Sequence, residues 1–244
     1  MSRKDRRKRF GQHFMVKPEL IDKMIALLNI RKRDVVFEIG AGRGELTERL
    51  AQFSKKVIAY EIDERLFREA KERLYNKENI NLVLGDAFKS HRSFDLLISN
   101  LPYSRSSDFI CWLAGKRFKR ALVTLQSDFV KKLLAKPGDK NYRAISVIAQ
   151  IAFKITIKDK IEREAFNPKP KVTSYLVLIG QKNRLKDVRF IKTLFSFRGK
   201  KLSKALKKLT LSNLKLNDGF LSKRVEHLTP DEILYLIEKL EVKR

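Results

Sequence analysis

Between residues 35 and 100 one pattern recurs: a short, mainly apolar run stops abruptly at a glycine, a carboxylate or an amide. Val35-Val36-Phe37-Glu38-Ile39 runs into Gly40-Ala41-Gly42-Arg43-Gly44, and Val57-Ile58-Ala59-Tyr60 runs into Glu61. Ile80-Asn81-Leu82-Val83-Leu84 gives way to Gly85-Asp86-Ala87, and Leu96-Leu97-Ile98 is followed by Ser99 and then Asn100. Apolar runs of this length read as buried parallel strands. Helical patterns at 45–52 and 64–75 separate the first three. Strands alternating with helices predict an α/β fold around a mostly parallel sheet. Such sheets bind ligands beyond the carboxyl ends of their strands. All four polar features fall there, so one shared crevice explains them better than four unrelated turns.

Each feature suits part of a flat, amine-bearing ligand. Gly40 and Gly42 let the backbone approach closely. The spacing is Gly-x-Gly-x-Gly rather than the Gly-x-Gly-x-x-Gly of dinucleotide sites, and Glu45 at the following helix start would repel a pyrophosphate. Glu61 lies about 20 residues past the glycines, where a carboxylate accepts both hydroxyls of a ribose. Asp86 can accept from an adenine amine. Asn100-Leu101-Pro102-Tyr103 combines an amide, an extended residue before proline, and an aromatic face on which a base can stack. Taken singly, a surface Glu, an Asp after a glycine and a strand ending in a proline turn are all ordinary.

Further strands are predicted at 120–125, 152–158 and 174–180, with helices at 18–28, 107–114, 126–135 and 142–151. After Gly180 the strand pattern stops, and helices are predicted at 187–197, 200–209 and 230–240, the last opened by Thr229-Pro230-Asp231-Glu232. The expected organisation is a catalytic α/β domain over 1–180 with a basic N-terminal arm, and a small helical domain over 181–244.

Charge identifies the partner class. The chain carries 55 Lys+Arg against 28 Asp+Glu, a formal net charge of +27. Self-repulsion on that scale opposes a compact state, and a polyanion such as nucleic acid offsets it. Basic residues cluster at 2–9, at Lys169 and Lys171 beside Phe166 in a proline-stiffened loop, and in Arg198-Gly199-Lys200-Lys201 with Lys204, Lys207 and Lys208. Phe166 in that loop could press a ring on a base while the two lysines hold phosphates. The single cysteine, Cys111, cannot form an internal disulfide, and His13, His91 and His227 lack metal-ligand spacing. No metal is expected. No run reaches the 18 or so apolar residues of a membrane span, and no apolar secretory region follows the basic N-terminus. A cytoplasmic monomer without membrane contact is the expectation.

With these residues in view, the chain resembles the ribosomal RNA adenine dimethyltransferases. The resemblance rests on Gly11-Gln12-His13-Phe14, Glu38-Ile39-Gly40-Ala41-Gly42, Glu61, Gly85-Asp86-Ala87 and Asn100-Leu101-Pro102-Tyr103. It continues through Phe166-Asn167-Pro168-Lys169-Pro170-Lys171-Val172-Thr173-Ser174 and Phe197-Arg198-Gly199-Lys200-Lys201-Leu202, so the ordered set spans about residues 10–205. It implies a Rossmann-like S-adenosylmethionine-dependent methyltransferase sheet with helices on both faces and a small C-terminal helical domain. One branch of the family dimethylates two adjacent adenines near the 3′ end of small-subunit rRNA during ribosome maturation; the other methylates one adenine of large-subunit rRNA and confers macrolide resistance. Gly11–Phe14, Tyr142-Arg143-Ala144-Ile145-Ser146-Val147 and Phe197–Leu202 look more like the first branch in its archaeal form. Met15 stands where Leu is usual, and Ser104 where the first branch usually has Asn. The alternatives are the large-subunit enzyme and a non-catalytic ribosome-assembly factor that binds RNA.

By resemblance, Gln12, His13 and Met15 line the methionine side of the cofactor. Gly40 and Gly42 approach it, Glu61 takes the ribose, and Asp86 with Ala87 takes the adenine. Asn100 lies between cofactor and target, and Tyr103 and Phe166 sandwich the target base. The chemistry agrees. The lone pair of an exocyclic amine is delocalised into its ring, making it a poor nucleophile. An amide oxygen at Asn100 and the Leu101 carbonyl can accept its two N–H bonds, favouring sp³ nitrogen and leaving positioning as the main catalytic demand.

Overall fold

β2 (Val35–Ile39) is buried along four of its five residues and lies third in a seven-stranded sheet ordered β4-β3-β2-β5-β6-β9-β7. The computed structural model describes residues 14, 15, 17–185, 188–211 and 216–241. β3 (Lys56–Glu61), β4 (Ile80–Leu84), β5 (Leu96–Ser99) and β6 (Arg120–Gln126) join β2 in a parallel block, with β9 (Ser174–Gln181) antiparallel to β6. β7 (Phe153–Ile161) lies outside β9 at the edge. From β2 the chain winds outward through β3 and β4, then returns to place β5 on the other side of β2. The β2/β5 boundary is therefore the point where strand order reverses, and a crevice opens there at the carboxyl ends.

Side-chain alternation builds the two faces. Val36, Val57, Ala59, Leu96, Ile98 and Leu122 share one buried cluster with α1 (Pro18–Leu28) and α2 (Glu45–Ala51). Pro18 opens α1, where a missing N–H costs nothing, and Asn29 ends it in a left-handed conformation at φ 50°. The alternate residues face the other way: the Phe37 ring lies 5.3 Å from Tyr60 and 4.9 Å from Phe94. α3 (Glu64–Arg73) packs on β3 and β4, its first turn capped by the Asp63 carboxylate. A separate two-stranded ribbon pairs β1 (Phe14–Met15) antiparallel with β8 (Phe166–Asn167).

The chain forms two compact units. The first runs through Phe109 and adds Lys116–Ser127 and Ile155–Gln181; the second takes Ile110–Gly115, Asp128–Lys154 and the residues from Lys182 onward. The division thus falls at several places in the chain rather than at one boundary near 180. In the second unit α6 (Ala144–Ala152) packs against α7 (Arg189–Phe195) and α10 (Pro230–Glu241). Buried Tyr142 donates to the Leu228 carbonyl over 2.8 Å and sets its ring edge-on to Phe195. α10 opens as a reciprocal cap: Thr229 Oγ1 accepts from Glu232 N, and the Glu232 carboxylate accepts from Thr229 N. α8 (Leu202–Lys208) buries Leu202, Ala205 and Leu206 and exposes its lysines. A short helix at Asp218–Ser222 was not foreseen, because five residues carry no periodicity.

Candidate active site

The glycine turn between β2 and α2 is made of left-handed backbone: φ is 83° at Gly40, 60° at Gly42 and 86° at Gly44. The Gly40 and Ala41 amides donate to the Tyr60 carbonyl at 2.8 and 3.0 Å, tying the turn to the end of β3. A Cβ built at Gly40 would meet nothing within 4 Å, and the same holds at Gly85. Both glycines border a cavity of about 310 Å³ at the carboxyl ends of β2, β3, β4 and β5. Gly40, Gly42, Glu61, Asp86, Ala87 and Asn100, predicted as cofactor residues from scattered stretches of chain, all line it, as does Leu101.

Glu61 is 4% exposed and accepts from three backbone donors. One carboxylate oxygen accepts from Gly42 N at 2.8 Å; the other accepts from Ile62 N and Asp63 N, each at 2.8 Å. Burial raises its pKa, opposed by those three amides. Asp86 accepts from Phe88 N at 2.9 Å and from the Arg105 guanidinium at 3.1 Å. Burial pulls its pKa upward, but the Phe88 amide and Arg105 outweigh it and hold the carboxyl below its usual range. Arg105 lies 4.6 Å over the Phe88 ring.

Among the described residues, four carboxyl side chains, Glu38, Glu45, Glu61 and Asp86, line the cavity against one cation, Arg105. Such a lining repels a pyrophosphate and favours a ligand bearing positive charge. Glu38 and Arg105 were not anticipated as site residues. Glu38 sits inside an apolar strand, and nothing in its local sequence separates it from a satisfied core carboxyl; it is 1% exposed and accepts from the Thr47 hydroxyl at 2.6 Å. At the end of β5, Ser99 Oγ donates to the Ile39 carbonyl over 2.8 Å, stitching β5 to β2 at the point of reversal. Asn100 is half-buried, and its Oδ1 accepts from the Thr124 hydroxyl at 2.7 Å. Leu101 is 2% exposed and anchors the turn in the core. Tyr103 is half-buried, with its hydroxyl 2.7 Å from Ser174 Oγ. Ser104 borders the cavity at its exposed rim.

The aromatic on the far loop is placed differently from expectation. Phe166 is 2% exposed and belongs to the same core cluster as Leu20, Met24 and Ala165. It therefore does not present an open stacking face. Its strand, β8, pairs with β1, and that pairing joins segments about 150 residues apart, a relation invisible in the loop's own sequence. Lys169 and Lys171 are exposed, and Lys169 pairs with Glu164 at 3.1 Å. Gln12, His13 and the basic arm at 2–9 lie outside the described residues; for Met15 only the backbone is described, in the β1 ribbon.

Comparison with known proteins places these features in one context. The family model described as ribosomal RNA adenine dimethylase matches residues 3–241. A curated protein of Pyrococcus abyssi, "Probable ribosomal RNA small subunit methyltransferase A", is 39% identical over 97% of this chain and 92% of its own length. A solved dimethyladenosine transferase from Plasmodium falciparum superposes with a TM-score of 0.78 at 28% identity, over 95% of this chain and 98% of that one. The 23S rRNA methyltransferase ErmE shares the fold, with a TM-score of 0.64 at 22% identity over 93% of this chain and 99% of its own.

Proposed function

Because this chain belongs to the ribosomal RNA adenine dimethylase family, we propose that the strand-end cavity is its cofactor site and that Asn100-Leu101-Pro102-Tyr103 is where the methyl group is transferred. The protein is an S-adenosylmethionine-dependent enzyme that dimethylates adenine in small-subunit rRNA. The finer reading is that its targets are two adjacent adenines near the 3′ end, modified during ribosome biogenesis.

The cavity suits the cofactor. Open backbone at Gly40 and Gly85, a buried carboxylate at Glu61 and an acidic lining fit a nucleoside carrying positive charge. Glu61 would take the ribose hydroxyls, Asp86 and Ala87 the adenine, and Gly40 and Gly42 the approach of the backbone; Gln12, His13 and Met15 would line the methionine side. When bound, S-adenosylmethionine supplies a methyl group already activated on a sulfonium. The chain's task is therefore to hold the target amine in line. Asn100 Oδ1 accepts from Thr124, and an amide oxygen can accept more than one donor. With the Leu101 carbonyl it accepts the N–H bonds of the amine and turns the nitrogen lone pair toward the methyl. An amide does this without titrating. Tyr103 stacks on the flipped base, and burial keeps its phenol neutral by raising its pKa. Phe166 backs this arrangement from the core. Lys169, Lys171 and the exposed lysines 200, 201, 204, 207 and 208 meet rRNA phosphates. The helical second unit is an RNA-facing domain. The protein works as a monomer in the cytoplasm; among the described residues no helix is long and apolar enough to cross a membrane.

One observation carries this reading: Asn100, Glu61 and Asp86 stand at three strand ends around one cavity. The test uses labelled cofactor, an unmethylated small subunit and mapping of the product nucleotide. The wild type should place two methyl groups on each target adenine, and Asn100→Ala should place none while still binding RNA. Label on a large-subunit adenine would overturn the substrate assignment, and near-normal transfer by the variant would overturn the role of Asn100.

A further inference from the structure

Behind the Asn100–Tyr103 turn lie two side-chain hydroxyls that do not border the cavity. Thr124 and Ser174 are both fully buried, one on β6 and one near the start of β9. The two strands pair directly, with Gln126 opposite Ser174 and Thr124 opposite Leu176. Thr124 Oγ1 donates to Asn100 Oδ1 over 2.7 Å, and Ser174 Oγ shares a hydrogen bond with the Tyr103 hydroxyl, also at 2.7 Å. Both bonds join residues far apart in sequence, and they meet the first and last residues of the same four-residue turn. Between them Leu101 is sunk in the core, Pro102 has φ −57°, and Arg105 N donates to the Pro102 carbonyl at 2.9 Å. Backbone geometry thus fixes the middle of the turn, and each of its two working side chains is hydrogen-bonded to one of the hydroxyls behind it.

We propose that Thr124 and Ser174 are positioning residues for methyl transfer, Thr124 setting the amide plane of Asn100 and Ser174 setting the ring of Tyr103. The inference rests on the roles given above to Asn100 and Tyr103. Asn100 rotates about two side-chain bonds, and only some rotamers turn an Oδ1 lone pair toward a base on Tyr103. The bond from Thr124 holds the amide in such a rotamer. A purely structural hydroxyl would affect stability alone. A positioning hydroxyl affects the turnover step, because misplacement of about 1 Å in reacting groups can cost about a hundredfold in rate.

The experiment compares Thr124→Val, which keeps the shape and removes the hydroxyl, with Thr124→Ser, which keeps the hydroxyl. Thr124→Ala and Thr124→Ser form a second pair differing only in that hydroxyl, should the valine variant fold poorly. Transfer to an unmethylated small subunit gives kcat and KM, calorimetry gives cofactor affinity, and NMR reports the Asn100 side-chain amide. Thr124→Val and Thr124→Ala should lose about tenfold to a hundredfold in kcat, with cofactor affinity unchanged and the Asn100 amide resonances shifted. Thr124→Ser should recover most of the rate. Ser174→Ala should raise KM for the subunit and leave the Asn100 resonances in place. A Thr124→Val enzyme with wild-type kcat overturns the proposal, and so does a Thr124→Ser enzyme as slow as Thr124→Ala. Asn100→Ala distinguishes the two levels. If that variant is active, the reading of Asn100 has failed; if it is inactive while Thr124→Val is normal, only the positioning role has failed.

Discussion

Glu38 holds its proton far more tightly than a free carboxyl does. It is buried on β2 and faces the cavity alongside two other carboxyls, Glu61 and Glu45. Burial, followed by repulsion from those neighbours, raises its pKa from 4.5 to about 8 despite the hydrogen bond from Thr47. The folded state therefore binds this proton more tightly than the unfolded chain does. The resulting stability is fully present below the unfolded value of 4.5 and is lost as pH rises through about 8. Glu38→Gln keeps an acceptor for Thr47 and removes the titration. In thermal melts the wild type should lose stability between about pH 4.5 and 8 relative to the variant, by on the order of a few kcal/mol. Parallel profiles would show that Glu38 does not titrate there. A positive charge in the cavity favours ionised Glu38. Cofactor binding should then release a proton, seen in calorimetry as a heat that depends on the buffer's own ionisation.

At the level of elements, the strand-to-glycine switches carried most of the legible information. The four strand ends and their polar residues were readable because an apolar run that stops at Gly40, Glu61, Asp86 or Asn100 marks both a strand and its carboxyl end. The acidic character of the cavity was only partly readable: Glu61 and Asp86 fall after their strands, whereas Glu38 hides within one. The burial of Phe166, expected to press its ring on a base, was not legible in its loop, because its partner strand, β1, lies at the other end of the first unit's sequence. Thr124 was not legible as a site residue, and Ser174 entered only as the end of a loop motif, since a hydroxyl in or at the edge of an apolar strand says nothing about what lies beside it across a sheet. The glycine turn also yields a contrast between two substitutions. A Cβ at Gly44 would meet Leu74 at 3.2 and 3.3 Å, whereas one at Gly40 would point into open space. Both sites have left-handed φ, so each alanine variant should lose about 1–2 kcal/mol in denaturant unfolding. Gly40→Ala alone should also weaken cofactor binding, because its methyl group enters the cavity. Equal cofactor affinity in the two variants would remove Gly40 from the site.

On the scale of the whole molecule, charge is divided by function. The chain as a whole carries +27, while among the described residues its cavity is lined by four carboxyls and one guanidinium. Exposed lysines are open to screening by salt, and buried groups are screened far less. RNA affinity should therefore fall linearly and steeply on a logarithmic salt scale as counterions are released, while cofactor affinity changes little over the same range. A flat RNA profile would separate the chain's charge from its substrate.

The sheet order has a consequence for how this chain can be made. β7 is translated before β9, yet β9 lies between β6 and β7. Until Ser174–Gln181 has left the ribosome, β6 and β7 have no strand between them, and β6 presents an unpaired edge of the kind that recruits other chains. The same late stretch carries Ser174, and the segment just ahead of it supplies β8, the partner of the N-terminal β1. A nascent chain thus holds its cofactor-side strands early but completes its transfer turn only when the last strand is inserted between β6 and the edge strand β7. Synthesis itself separates the moment at which the nucleoside cradle can form from the moment at which the enzyme can act.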